Sequence, residues 1–156
     1  MTPPDDTDLF RLVYRSRSTI AGDAEAVQQT IDAAVATSQR RNVQAGVTGT
    51  LMFTGLFFVQ ALEGSPAAVE AIFDRICCDL RHTSLKVIEC GPVLEPGFGN
   101  GAMTYLVPDA VAGALLDRMG VEVELADAAA AAMRLMAALV RTGPRAIEPV
   151  QNVVAE

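Results

Sequence analysis

Apolar and polar residues alternate unevenly along the first half of the chain, and the period of that alternation changes several times. Over residues 9–15 the side chains of Phe10, Leu12 and Tyr14 share one parity, which predicts a strand with two unequal faces. After Ala21, Gly22 and Asp23 the period lengthens: Val27, Ile31, Ala34, Val35 and Ser38 recur at three- and four-residue steps. That spacing predicts an amphipathic helix ending near Arg40, Arg41 and Asn42. Residues 47–53 and 56–62 return to strand character and are separated by Thr54 and Gly55, whose glycine tolerates the positive φ of a tight hairpin. Ser65 is a good N-cap and Pro66 a good first helical residue, and the stripe Val69, Ile72, Phe73, Ile76, Cys77 and Leu80 predicts a second helix. Residues 85–90 and 102–107 read as two further strands, joined by an irregular stretch rich in glycine and proline.

The resulting order, strand, helix, strand, strand, helix, strand, strand, defines an α+β class. It resembles a ferredoxin-like βαββαββ arrangement, in which right-handed crossovers place both helices on one face of a mixed sheet. Helical stripes over 109–119 and 125–140, the latter dominated by alanine and carrying Met133, Met136, Leu139 and Val140, predict C-terminal helices that cover the other face. The expected organisation is a core over 8–107, a helical extension over 108–142 packed on the sheet, and a tail over 143–156.

Composition narrows the function. The net charge of −7, with Lys86 as the single lysine, argues against direct nucleic-acid binding, because phosphate neutralisation needs a basic surface. No run reaches the roughly 20 apolar residues that span a bilayer, and the first residues lack a basic flank followed by an apolar stretch, so a cytoplasmic protein is expected. Cys77, Cys78 and Cys90 form no Cys-x-x-Cys pair and read as small core residues rather than metal ligands. With His82 as the one histidine, multi-histidine metal sites and a hydrolytic triad lose their support.

Three polar side chains fall where strand and helix predictions bring them towards one face: Tyr14, Asn42 and Gln60. A glutamine within an apolar strand requires a partner, since an unpaired buried amide costs roughly 1–3 kcal/mol. On spacing alone, a Tyr14–Gln60 hydrogen bond that merely orders the core remains an alternative.

The local motifs are more specific. The segment Leu12-Val13-Tyr14-Arg15-Ser16, Asn42 four residues before Gly46-Val47-Thr48-Gly49, and Phe58-Val59-Gln60-Ala61-Leu62-Glu63-Gly64 resemble the BLUF family of flavin-dependent blue-light sensors. Asp79-Leu80-Arg81-His82 matches that family's Asp-x-Arg-His turn, and Phe98 with Met103 fits its final-strand signature.

The resemblance implies a noncovalently bound flavin, FAD, between the two helices, with Asn42 pairing to its pyrimidine edge. It further implies a photochemical role for Tyr14, as donor of an electron and then a proton, and for Gln60, whose hydrogen bonds rearrange before recombination. Cofactor contacts are expected from Tyr14, Ser38, Arg41, Asn42, Gln60, Asp79, Arg81, His82 and Met103, with Arg75 a lesser candidate and Ser16 a hydrogen-bond partner behind Tyr14. No substrate is consumed, so the chain is expected to be a sensor rather than an enzyme, signalling to a downstream protein or through its own oligomer. The chain departs from the family where many members carry tryptophan two residues before the methionine: it reads Gly101-Ala102-Met103 and contains no tryptophan. A tryptophan switch is therefore excluded, and Met103 with the final strand is the expected route of the signal. The rival reading is a light-insensitive ferredoxin-like ligand-binding or subunit-association domain.

Overall fold

The computed structural model describes residues 8–98, 101–106 and 146–147. Its elements run β1 (Phe10–Ser18), α1 (Ala24–Ala45), β2 (Thr48–Phe53), β3 (Phe57–Gly64), α2 (Pro66–Cys77), β4 (His82–Pro92), β5 (Thr104–Leu106) and β6 (Ala146–Ile147). The strands form one sheet in the order β4-β1-β3-β2-β5-β6, antiparallel throughout except for the parallel pair β2 and β5. This is the expected ferredoxin-like arrangement, with one addition. Residues Ala146 and Ile147, within the expected tail, pair with Leu106 and Tyr105 and extend a sheet edge that would otherwise present unpaired backbone groups. The helical stripes anticipated over 109–119 and 125–140, and with them the extension over 108–142, lie outside the described residues.

Both helices pack on one face. Ile31 and Val35 of α1 and Val69 of α2 join Leu12, Tyr14, Phe58 and Leu62 in a single buried cluster. Those strand residues share the even parity of β1 and β3, so alternation alone directs them to the helices. The odd positions of β1 and β3 face away, together with Met52 of β2 and Leu106 of β5, yet Val13, Val59, Ala61, Met52 and Leu106 are also buried. The sheet is therefore apolar on both sides at its centre.

Local chemistry explains where the elements stop. Asp23 caps α1 by accepting from the Ala26 amide at 2.8 Å. The helix continues past Asn42 to Ala45, one turn further than the polar cluster at its end suggested, because nothing breaks it before Gly46. There a φ of +70° lets the amide donate to the Asn42 and Val43 carbonyls. Asn42 consequently lies inside the last turn and is 1% exposed.

Ser65 and Pro66 start α2 as expected, but the helix ends at Cys77, short of Leu80. The Asp79 carboxylate accepts from the Arg81 amide at 2.9 Å, an Asx turn that competes with another helical turn. Leu80 is left exposed rather than in the apolar stripe. The cysteines are likewise exposed, not core: Cys77 and Cys78 sit at this truncated helix end, and Cys90 lies on the outermost strand β4.

At the β2–β3 hairpin Gly55 has φ +104°, and the Thr54 hydroxyl accepts from the Leu56 and Phe57 amides at 3.2 and 3.0 Å. The partnership of β1 with β4 is less regular, with register shifts between Val13 and Tyr14 and between Arg15 and Arg17. Ser84, at φ +55°, lies within the second. These shifts bring His82 alongside Ser18 at the end of the strand pair that carries the site.

Gly46 supplies the first test. A Cβ there would meet nothing within 4 Å, so Gly46→Ala changes only the backbone preference. Urea denaturation is expected to show a loss of about 1 kcal/mol, since the left-handed conformation is unfavourable for an L-residue.

Candidate functional site

The register of β1 on β3 makes Tyr14 and Gln60 direct cross-strand partners on the helix-facing side. Both are buried, at 4% and 5% exposure. The Tyr14 hydroxyl donates to Gln60 Oε1, and Gln60 Nε2 donates to Met103 Sδ at 3.6 Å. A thioether is a weak acceptor, and the second N–H of the Gln60 amide has no acceptor among the described residues. The phenol ring lies between Phe73 and His82, with centroids 5.9 and 6.0 Å away. Burial pushes the Tyr14 hydroxyl far above its ordinary value, and the nearby negative charge of Asp79 pushes the same way. Tyr14 is thus held as a neutral phenol.

Met103 is fixed by its backbone as well as by Gln60. Gln39 Nε2 donates to the Met103 carbonyl at 2.9 Å, Asn42 Nδ2 donates to the Ala102 carbonyl, and the Gly49 amide donates to the Gly101 carbonyl at 3.0 Å. Gly49 permits this close approach: a Cβ there would stand 3.0 Å from Met103 Cε and 3.2 Å from Asn42 Nδ2. The oxygen of the Asn42 amide is left without a donor among the described residues.

Between α1 and α2 these groups border two adjoining cavities. One, of about 80 Å³, is walled by apolar residues such as Ile31, Val35 and Leu51 and reaches Tyr14, Gln60 and His82. The other, of about 60 Å³, reaches Arg41, Asn42, Arg75 and Met103, and Ser38, Gln60, Asp79 and Arg81 border both. A third, of about 200 Å³, shares Arg41, Ile72 and Arg75 with the second. Every residue expected to contact the cofactor, with Arg75, therefore lines one of these cavities.

Its polar rim is internally ordered. Arg81 Nε donates to Asp79 Oδ1 and Oδ2 at 2.9 and 3.0 Å. This pairing holds the Asp79 carboxyl below the ordinary carboxylate range and raises Arg81 above its own. His82 Nε2 lies 2.7 Å from the Ile76 carbonyl, which can only accept, so this nitrogen carries a proton. Nδ1 meets Ser16 Oγ at 2.7 Å, tying the ring to β1 directly behind Tyr14. Ser16 thus holds the His82 ring beside the tyrosine, at the wall of the first cavity.

Two features escaped the sequence reading. Gln39 was not singled out, although it lies three residues before Asn42 and hence on the same helix face. Glu63 was recognised only as part of a motif. Its 2% exposure and its contacts on the far side of the sheet emerge from the register.

A planar heteroaromatic with an apolar body and a polar edge fits this cleft: the walls are apolar, and the amides of Gln60 and Asn42 retain a free donor and a free acceptor. The model of the family "BLUF: Sensors of blue-light using FAD" matches residues 9–104, and the chain belongs to that family. The matched segment is accordingly a flavin-binding blue-light sensor domain. Over 95 residues it is 38% identical to the blue light- and temperature-regulated antirepressor BluF of Escherichia coli (strain K12), a match covering 61% of this chain and 23% of that protein. The dark-state structure of the BLUF protein BlrB superposes with a TM-score of 0.68 at 26% identity, covering 86% of this chain and 98% of the other. Klebsiella pneumoniae BlrP1, solved with FMN and cyclic diGMP, gives a TM-score of 0.58 at 28% identity over 86% of this chain and 35% of that one.

The Tyr14 shift predicts a pH effect. With the folded-state value raised above the 10.0 of an ordinary tyrosine, the stability tied to the neutral phenol is fully present below about pH 10. It is lost as pH rises further towards the folded value. Between about pH 9.5 and 11 the wild-type chain should lose more stability to urea than Tyr14→Phe. Tyr105, which burial pushes up to about 12, is common to both chains and cancels.

Proposed function

We propose that Tyr14 and Gln60 carry the light response of this sensor, and that the flavin is FAD. The observation that supports the reading is the single amide of Gln60 spanning from the Tyr14 hydroxyl to Met103 Sδ. Bound flavin supplies light absorption and a transient oxidant. Tyr14 gives up an electron and its hydroxyl proton and regains both, so there is no net chemistry. While the phenol proton is away, Gln60 Oε1 has lost its donor, and the amide is held at its other end only by a weak bond to sulfur. It can therefore turn or tautomerise, changing which atom Met103 meets without adding net charge. Asn42 and Ser38 hold the ring edge, while Asp79, Arg81 and His82 order the rim.

The preference for FAD is supported by Arg41 and Arg75, which border the second and third cavities and offer two guanidinium groups to a diphosphate. The signal passes through Met103 and β5 to a downstream protein or a second copy of the chain. A cytoplasmic setting accords with the finding that no described helix is long and apolar enough to cross a membrane.

Tyr14→Phe and Gln60→Leu should both retain bound flavin yet lose the small, reversible red shift of its absorption after blue light. A normal red shift in both variants would remove the assigned roles. For the cofactor, titration of the flavin-free chain should show FAD binding at least about tenfold tighter than riboflavin. Arg41→Ala with Arg75→Ala should erase that difference, and equal affinities in the wild-type chain would refute the FAD assignment.

A further inference from the structure

Glu63 is a carboxylate 2% exposed on a sheet face lined by Val13, Val59 and Ala61, and nothing in the photochemical reading uses it. Its parity is opposite to that of Gln60, so it lies behind the site. Its direct cross-strand partner is Arg11. Arg11 Nε donates to Glu63 Oε2 at 3.0 Å, and the Arg11 guanidinium stands 5.0 Å over the Phe98 ring. Arg11 also approaches Glu89 Oε1 at 3.6 Å and donates to the Glu95 carbonyl at 3.3 Å. The Gly97 amide donates to both oxygens of Glu63, at 3.1 and 3.0 Å, and the Phe98 amide to Oε1 at 3.1 Å. A Cβ at Gly97 would stand 2.5 Å from the guanidinium, so a glycine suits this packing.

The acceptor capacity of the buried carboxylate is thus divided between Arg11 and the backbone of residues 97–98. Thr50 adds a further tie, its hydroxyl donating to the Phe98 carbonyl at 2.7 Å. Three residues beyond Phe98 the chain reaches Gly101, bound to Gly49, and two residues later Met103, which meets the Gln60 amide. One strand, β3, therefore holds the two ends of the same segment, by Glu63 on one face and Gln60 on the other.

We propose that Glu63, braced by Arg11, is a positioning residue of the photosensor: it anchors residues 97–98 so that the segment presents Met103 to Gln60. The inference rests on the assignment of the light response to Gln60 and deepens it. An anchored segment makes the arrangement with Met103 against the amide the favoured one, and return to it after illumination is driven by re-forming that contact. A loosened anchor weakens this drive and lengthens the dark recovery.

The test uses the full chain loaded with FAD, following the red shift after blue light and its decay in darkness. Glu63→Gln keeps the shape but loses the charge that strengthens these hydrogen bonds, and recovery is expected to slow by about tenfold with flavin still bound. Thr50→Val removes the second tie without touching the carboxylate and should slow recovery in the same direction, which carries the test if Glu63→Gln fails to fold. Val13→Ala, on the same face but away from the segment, controls for general loss of stability and should recover at the wild-type rate. Wild-type recovery rates in both anchor variants, or equal slowing in Val13→Ala, would overturn the anchoring role. A wild-type chain that shows no red shift at all would instead overturn the photochemical reading on which it rests.

Discussion

The antiparallel register of β1 on β3 is the constraint on which the rest of the molecule depends. It sets Tyr14 opposite Gln60 on the helix-facing side and Arg11 opposite Glu63 on the other. A slip of one residue would exchange the faces of every side chain on the strand, burying Arg11, Arg15 and Arg17 under the helices. The cost of that exchange is what fixes the register. The hydrophobic cluster is therefore also the device that brings a phenol and an amide within hydrogen-bond reach.

Helix placement follows from the same sheet. The two helices lie over the even positions of β1 and β3, and the cleft between them opens directly above the Tyr14–Gln60 pair. Apolar walls give a planar ring its place, while the few polar groups at the base and rim are each oriented by a second partner. Asp79 is held by Arg81, His82 by Ser16 and Ile76, and Asn42 by Ala102. Such pairings limit the conformations available before a ligand arrives, so less order must be imposed on binding.

Much of this could be read from the residues in order. Period-two and period-three-to-four patterns located five strands and both helices, and the residues around the cleft were recognisable because the family's motifs sit on those elements. Boundaries were harder. Arg40, Arg41 and Asn42 look like a polar helix end, yet the terminus is decided by the glycine four residues past Asn42, where a positive φ is available. Leu80 continues an apolar stripe on paper, but the Asp79 side chain turns the chain first. The cysteines suit a core by size and are exposed through their places at a helix end and on an outer strand. The Glu63 anchor was illegible for another reason. Its meaning depends on a cross-strand partner 52 residues away and on a loop with no periodicity of its own.

The chain has two tyrosines and no tryptophan, and both phenols are buried on the same side of the sheet. Tyr14 is bonded to a glutamine, whereas Tyr105 lies on β5 beyond β2. Isotope labelling of tyrosine would consequently mark only two oscillators, one hydrogen-bonded to Gln60 and one on β5. In a difference infrared spectrum these would act as paired reporters, one at the proposed origin of the disturbance and one on its proposed exit.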